Sequence, residues 1–163
     1  MAAALLRTEG LTLNAVHIYP GDPAALPLVA GLMTDPAAGT GEYPFEGMDW
    51  FQGLEFASRL GGDLLVLAED GVTVAGGSYR RYDSTTAQLG WLWTQPDRRR
   101  EGLARRVLAE LESSAVWHGY QRIYAVAGPG RSEVRRLLAS SGYRPLGSAV
   151  PESGYLGFVK AGD

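Results

Sequence analysis

Two stretches carry residue types at spacings that could do chemistry. The first is Gln95-Pro96-Asp97-Arg98-Arg99-Arg100-Glu101-Gly102-Leu103-Ala104-Arg105-Arg106. A β-like run, residues 87–94, leads into it, and a helix-like run from Leu103 to about Trp117 leads out. A turn of this kind aims several backbone N–H groups one way. The first helical N–H groups have no partner within the helix, and the aligned peptide dipoles put partial positive charge there. Such a turn can hold a phosphate or pyrophosphate. Gly102 has no Cβ to keep an anion away, and the flanking arginines add attraction. The stretch lacks G-x-x-x-x-G-K-[ST] and G-x-G-x-x-G, so a nucleoside-triphosphate loop and a dinucleotide fold are disfavoured. We read the loop as gripping the pyrophosphate of a CoA-type cofactor. The bland alternative is an ordinary strand-to-helix turn with a solvated basic face.

The second stretch runs from Gly39 to Trp50. It mixes the carboxylates Glu42, Glu46 and Asp49 with the aromatics Tyr43, Phe45 and Trp50. Acids and ring faces together suit a cationic amine, through charge pairing and cation–π contact. The alternative is a loop anchored by its rings with its acids in water. His17 is a lone histidine, more simply a packed or surface residue than a catalyst.

These residues need elements to position them. Residues 10–18 alternate as a strand, and Pro20 to Pro23 make a turn. Helices are expected over residues 26–33 and 44–60, joined by a glycine- and proline-spotted loop. An antiparallel meander follows, with strands at residues 63–68, 72–82 and 87–94. Asp70-Gly71 makes the first hairpin turn, because both residues tolerate positive φ; residues 83–86 make the next. The helix from Leu103 presents Leu103, Val107, Leu108, Leu111 and Ala115 on one side, and Gly119 ends it. A strand at residues 121–127 comes next. Ser132 caps a further helix whose inner face is Val134, Leu137, Leu138 and Ser141, and Gly142 ends it. A last strand covers residues 155–160. This order predicts an α/β (α+β) fold, a mixed sheet with helices on both faces.

The chain has 163 residues, consistent with one domain spanning 1–163 and large enough for a real core. Its net charge of −3 disfavours general nucleic-acid binding, including a DNA-binding role for the five arginines between Arg98 and Arg106. It has no cysteine, which excludes disulfides, a cysteine nucleophile and a thiolate metal site. No metal site is expected. No stretch approaches the ~18 apolar residues of a membrane span, and cytoplasm is the default location.

Arg99-Arg100-Glu101-Gly102-Leu103-Ala104 resembles the Q/R-x-x-G-x-G/A signature of the GNAT family of N-acetyltransferases. The strand before it, Pro96 upstream and the amphipathic helix after it match that context. Ser140-Ser141-Gly142-Tyr143-Arg144-Pro145-Leu146 resembles the family's helix-ending Gly-aromatic element. The resemblance runs from about Asp63 to Lys160. It implies a GNAT-like acyl-CoA N-acyltransferase fold, with a central, mostly antiparallel sheet, and acetyl-CoA as cosubstrate. The strands at residues 87–94 and 121–127 should splay apart to admit the pantetheine arm.

Carried onto this chain, the resemblance implies cofactor contacts from Arg99, Arg100, Glu101, Gly102, Leu103, Ala104 and Arg105. Trp93 and Thr94 occupy the positions nearest the family's backbone donor to the acetyl carbonyl. Arg131 stands where the family often has an Asn, and could meet a phosphate. Tyr43, Glu46 and Trp50 fall where the acceptor pocket is commonly covered.

The catalytic half of the pattern departs from the family. The strand at residues 87–94 carries no carboxylate, since Gln88 and Gly90 cannot be bases. A base would come from Glu42, Glu46, Asp83 or a water chain. The usual acid position holds Leu138, leaving Tyr124 and Tyr143 as substitute acids, or as core residues. Two readings follow. One is an acetyl-CoA-dependent N-acetyltransferase acting on a small-molecule or peptide amine by direct attack in a ternary complex. The other is a non-catalytic acyl-CoA-binding or partner-binding module. Homodimers are frequent in the family.

Overall fold

A computed structural model describes residues 13–18, 22–27, 30, 61–99, 101–128, 132–148 and 154–162. They form seven strands: β1 (Leu13–Ile18), β2 (Asp63–Glu69), β3 (Val72–Arg81), β4 (Thr86–Thr94), β5 (Arg122–Ala127), β6 (Arg144–Ser148) and β7 (Leu156–Ala161). They make one mixed sheet in the order β1-β2-β3-β4-β5-β7-β6. Every neighbouring pair is antiparallel except β4 and β5, which run parallel. The helices are α1 (Leu103–Trp117) and α2 (Ser132–Ser140). Helix α1 is the crossover that a parallel β4–β5 pair requires. The helices expected at residues 26–33 and 44–60 lie largely or wholly outside the described residues.

The meander follows its turn chemistry. Asp70 and Gly71 both have positive φ, 49° and 84°, as a two-residue hairpin of this hand demands. The turn before β2 is a short 3₁₀ helix, Pro23–Ala25, capped by Asp22, whose Oδ1 accepts from the Ala24 amide at 2.9 Å. Strand β6 begins at Arg144, two residues after Gly142.

One face of the sheet packs on α1. Leu65, Leu67, Ala75, Tyr79, Ala87, Leu89, Ile123 and Ala125 meet Leu103, Val107, Leu108, Leu111 and Ala115 in a single cluster. The helix side chains are the five that the 3.6-residue period selects. Each large one contributes about 1.5–3 kcal/mol by leaving water. Leu138 of α2 joins the same cluster, with Val134 and Leu137 at its margin.

A polar chain ties the far end of α1 to the sheet. The Ser114 hydroxyl donates to Asp63 at 2.5 Å, Tyr79 Oη lies 2.9 Å from Ser114 Oγ, and His17 Nδ1 lies 2.7 Å from Asp63 Oδ2. Burial pushes the Tyr79 hydroxyl up to about 12. Ser114 stands roughly 18 Å along the helix from Gly102, and His17 serves this clasp. No helix among the described residues is long and apolar enough to cross a membrane.

The sheet has one defect that matters for the site. Gly77 pairs with Leu92, but Tyr79 pairs with Leu89, so β4 carries one more residue than β3 across this interval. This is a β-bulge at Gly90 and Trp91. It breaks the inward–outward alternation, which is why Leu89 and Leu92 both reach the α1 cluster. A bulge bends its strand and sharpens the local twist.

Candidate active site at the strand splay

Strands β4 and β5 are paired over only three positions: Thr86 with Arg122, Ala87 with Ile123, and Gln88 with Tyr124. Pairing ends where the bulge begins. Beyond it, residues 89–94 of β4 and 125–127 of β5 continue without each other. Strand β4 remains paired with β3 as far as Thr94, and β5 with β7 as far as Ala127. The sheet thus opens a wedge in its middle, with backbone groups on β4 turned into the gap. Trp93 and Thr94 are at its open end. Trp93 is 9 % exposed yet outside the α1 cluster, so it lies on the other face, and Thr94 is half-buried.

The loop from β4 to α1 closes one side of that opening. Its first part is a 3₁₀ turn, Pro96–Arg98, held by the Arg98 amide on the Gln95 carbonyl at 2.8 Å. Arg98 is fastened at both ends. Its Nη1 and Nη2 donate to the two carboxylate oxygens of Glu69 at 2.7 and 3.0 Å, and its Nε donates to Glu101 at 2.9 and 3.0 Å. These bonds hold the Glu69 carboxyl below the usual carboxylate range and push the Arg98 guanidinium further up. Two members of the expected anion loop are thus committed to anchoring it: Arg98 of the basic patch, and Glu101, which accepts from Arg98.

Gly102 stands at the N-cap of α1 with φ 80° and ψ 10°, the left-handed region. Its carbonyl accepts the Arg106 amide at 3.0 Å, so the amides of Leu103, Ala104 and Arg105 have no acceptor within the helix. A Cβ at Gly102 would meet no atom of the described residues within 4 Å, so that flank of the loop is open toward them. Leu103 is buried and fixes the helix start in the core. Arg99 is exposed in extended backbone. Arg105 donates to the hydroxyls of Ser140 and Ser141 at 2.8 and 3.3 Å, joining α1 to the end of α2. Arg106 pairs with Glu110 at 3.1 Å. Arg100 and Arg131 lie outside the described residues.

On the sheet face away from α1, polar residues gather where the β4–β5 pairing ends. Gln88 is the register partner of Arg80 on one side and of Tyr124 on the other. Directly opposite residues share a face. Arg80 Nη2 donates to Gln88 Oε1 at 2.7 Å. The Tyr124 ring leans on Tyr82, with centroids 5.4 Å apart, and lies over Gly157 of β7. A Cβ there would come within 3.2 Å of the ring and 3.3 Å of its hydroxyl.

These elements were compared with known proteins. The family model described as "Acetyltransferase (GNAT) family" matches residues 33–143. This chain belongs to the GNAT acetyltransferase family. A proposed acyl-CoA N-acyltransferase from Klebsiella pneumoniae shares the fold with TM-score 0.74 and 18% identity, over 93% of this chain and 98% of that one. A proposed acetyltransferase from Salmonella typhimurium, solved with its cofactor acetyl-CoA, aligns with TM-score 0.70 and 20% identity over 93% and 94% of the two chains. A ribosomal-protein-alanine N-acetyltransferase from Brucella melitensis aligns with TM-score 0.69 and 21% identity over 91% and 99%. A search of curated proteins finds no match.

The cofactor of a GNAT chain is acetyl-CoA, and the residues present here fit it. The open flank at Gly102, the unpaired amides of the α1 N-terminus and the exposed Arg99 suit a pyrophosphate. The wedge between β4 and β5 suits an extended arm.

Of the two candidate acids, Tyr124 stands at the wedge. Tyr143 is 3 % exposed, inside the α1-face cluster, with its hydroxyl buried and without a hydrogen-bond partner among the described residues. Lys160 Nζ sits 5.7 Å from its ring centre and pairs with Glu112 at 3.2 Å. Burial and the Glu112 charge push the Tyr143 hydroxyl far up. Asp83, a candidate base, accepts from the Thr85 amide at 2.9 Å, which holds its carboxyl below the ordinary range and makes it a weak base. Glu42, Tyr43, Glu46 and Trp50 lie outside the described residues.

Sequence reasoning missed Arg80, Gly157 and the Glu69 anchor. Arg80 was within reach of it. A tight turn at residues 83–86 pairs Arg81 with Ala87 and so Arg80 with Gln88. Nothing local marks Glu69 or Gly157, whose neighbours come from strands distant in the chain.

Proposed function

We propose that this chain is an acetyl-CoA-dependent N-acetyltransferase, moving an acetyl group to a primary amine of a small molecule or peptide by direct attack in a ternary complex. The observation that carries the reading is the end of β4–β5 pairing at Gln88 and Tyr124 beside the open N-terminus of α1. Acetyl-CoA supplies the activated acetyl thioester.

The chain's own residues have separate tasks. The amides of residues 103–105 and the Arg99 side chain hold the pyrophosphate. The β4 backbone near Trp93 and Thr94 offers an N–H to the carbonyl oxygen as it gains charge. Tyr124 holds a proton at Oη for the departing sulfur. Helix α1 fills one face of the wedge, so the amine approaches from the other. Glu42 or Glu46 is the base to test, with a water chain or an amine arriving neutral as the remaining routes. Positioning of two substrates supplies most of the acceleration.

The lack of any carboxylate on β4 favours a second reading, an acyl-CoA-binding module without turnover. Titration calorimetry with acetyl-CoA, CoA and ATP, followed by an amine screen for release of free CoA thiol, separates the two. Micromolar acetyl-CoA binding with acetylation of an amine supports the enzyme. Binding without turnover across the screen supports the module, and no binding of either CoA species removes both.

A further inference from the structure

Among the described residues, Arg80 is a cation without a carboxylate partner. It is half-buried in the face where the amine must approach, and its partner among the described residues is the neutral side chain of Gln88, itself 6 % exposed. Asp83, three residues on in the turn after β3, is engaged with Thr85. Arg98, Arg106 and Lys160 each have an acidic partner, whereas Arg80 has none among the described residues. Burial lowers its pKa.

Withdrawing a guanidinium from water without an opposite charge is unfavourable, and an arriving anion reverses that. The place is specific. Arg80 and Tyr124 flank Gln88 in one row across the sheet, about two strand spacings or roughly 10 Å apart at the backbone. An arginine side chain spans most of that distance. Its planar fork matches a carboxylate with two parallel bonds. One of its nitrogens is spent on Gln88, which fixes the fork's orientation and leaves the other donors for a ligand.

We propose that Arg80 binds a carboxylate on the acceptor, so that the substrate is an amino-acid-like molecule carrying both the reacting amine and an acid group. The inference rests on the acetyltransferase reading above.

The test titrates the CoA-loaded protein calorimetrically with the standard amino acids and with their carboxamides. The same panel is run in a turnover assay with acetyl-CoA. At least one amino acid should bind tenfold or more tightly than its carboxamide. Arg80→Gln should erase that difference and leave acetyl-CoA affinity unchanged, and Arg80→Lys should restore part of it. Equal affinity for acids and amides, no amino-acid binding at all, or a preference that survives in Arg80→Gln overturns the inference. Amide and amine acetylation without an acid preference overturns it while preserving the acetyltransferase reading. Arg80-dependent acid binding without turnover does the reverse.

Discussion

Arg98 and Glu69, twenty-nine residues apart, form a two-point clasp, Nη1 to Oε1 at 2.7 Å and Nη2 to Oε2 at 3.0 Å. The clasp binds the anion loop to the end of β2, and Glu101 occupies the guanidinium's third side. Arg98→Met should therefore leave the sheet folded but free the loop to sample other conformations. Acetyl-CoA affinity should fall about tenfold, as expected when a preorganised site must be ordered on binding. Calorimetry on the variant checks this, and affinity equal to the parent's would remove the anchoring role.

The same pair sets a pH limit. Arg98 depresses the Glu69 carboxyl below its ordinary value of 4.5. A depressed acid stabilises the fold at pH values above the unfolded-state pKa, and that contribution is lost as pH falls through the folded-state pKa. The Tm difference between the parent and Glu69→Gln should be present at pH 7, start to shrink as pH falls below about 4.3, and vanish once pH drops below the depressed folded-state value. A difference that grows on acidification would contradict the assignment.

Gly102 carries two separable demands. Its φ of 80° is unfavourable for any residue with a Cβ, by about 1–2 kcal/mol. Gly102→Ala should lower Tm by roughly 3–8 °C, although its Cβ meets no described atom within 4 Å. Gly102→Glu bears the same backbone strain and adds a negative charge at the helix N-terminus. Its acetyl-CoA affinity should fall by at least 100-fold relative to Gly102→Ala. Normal binding by the Glu variant would sink the loop assignment.

The two tyrosines should respond in opposite ways. Tyr124→Phe removes the proton held at the wedge, so kcat should drop by roughly 100-fold with little change in acetyl-CoA binding. Tyr143→Phe deletes a buried hydroxyl that has no hydrogen-bond partner among the described residues. It should leave kcat intact and hold or raise stability by up to about 1 kcal/mol. A large kcat loss in Tyr143→Phe would transfer the acid role to that residue.

Gly157 tests whether the position of Tyr124 matters. An Ala side chain would press on the Tyr124 ring at 3.2 Å. The ring must yield by a few tenths of an ångström, and kcat should fall about tenfold with Tm nearly unchanged. Steady-state kinetics beside thermal melts separate a displaced hydroxyl from a damaged fold.

The sequence by itself determined what depends on neighbours along the chain. The α1 face from Leu103 to Ala115 follows from a 3.6-residue period. The Asp70-Gly71 hairpin follows from backbone freedom. The role of Gly102 follows from its place between a strand and a helix. Each is local, so composition and spacing express it directly. The tertiary structure alone decided where β4 and β5 part, because the bulge at Gly90 and Trp91 depends on register with β3 and not on any residue's own preference. It also decided that Arg98 is spoken for by Glu69, that Tyr143 is enclosed while Tyr124 faces the wedge, and that Arg80 stands without an acidic partner among the described residues. Those facts are distances between side chains brought together from separate strands and helices, and a charge or hydroxyl reads the same in the sequence whether its partner is present or absent.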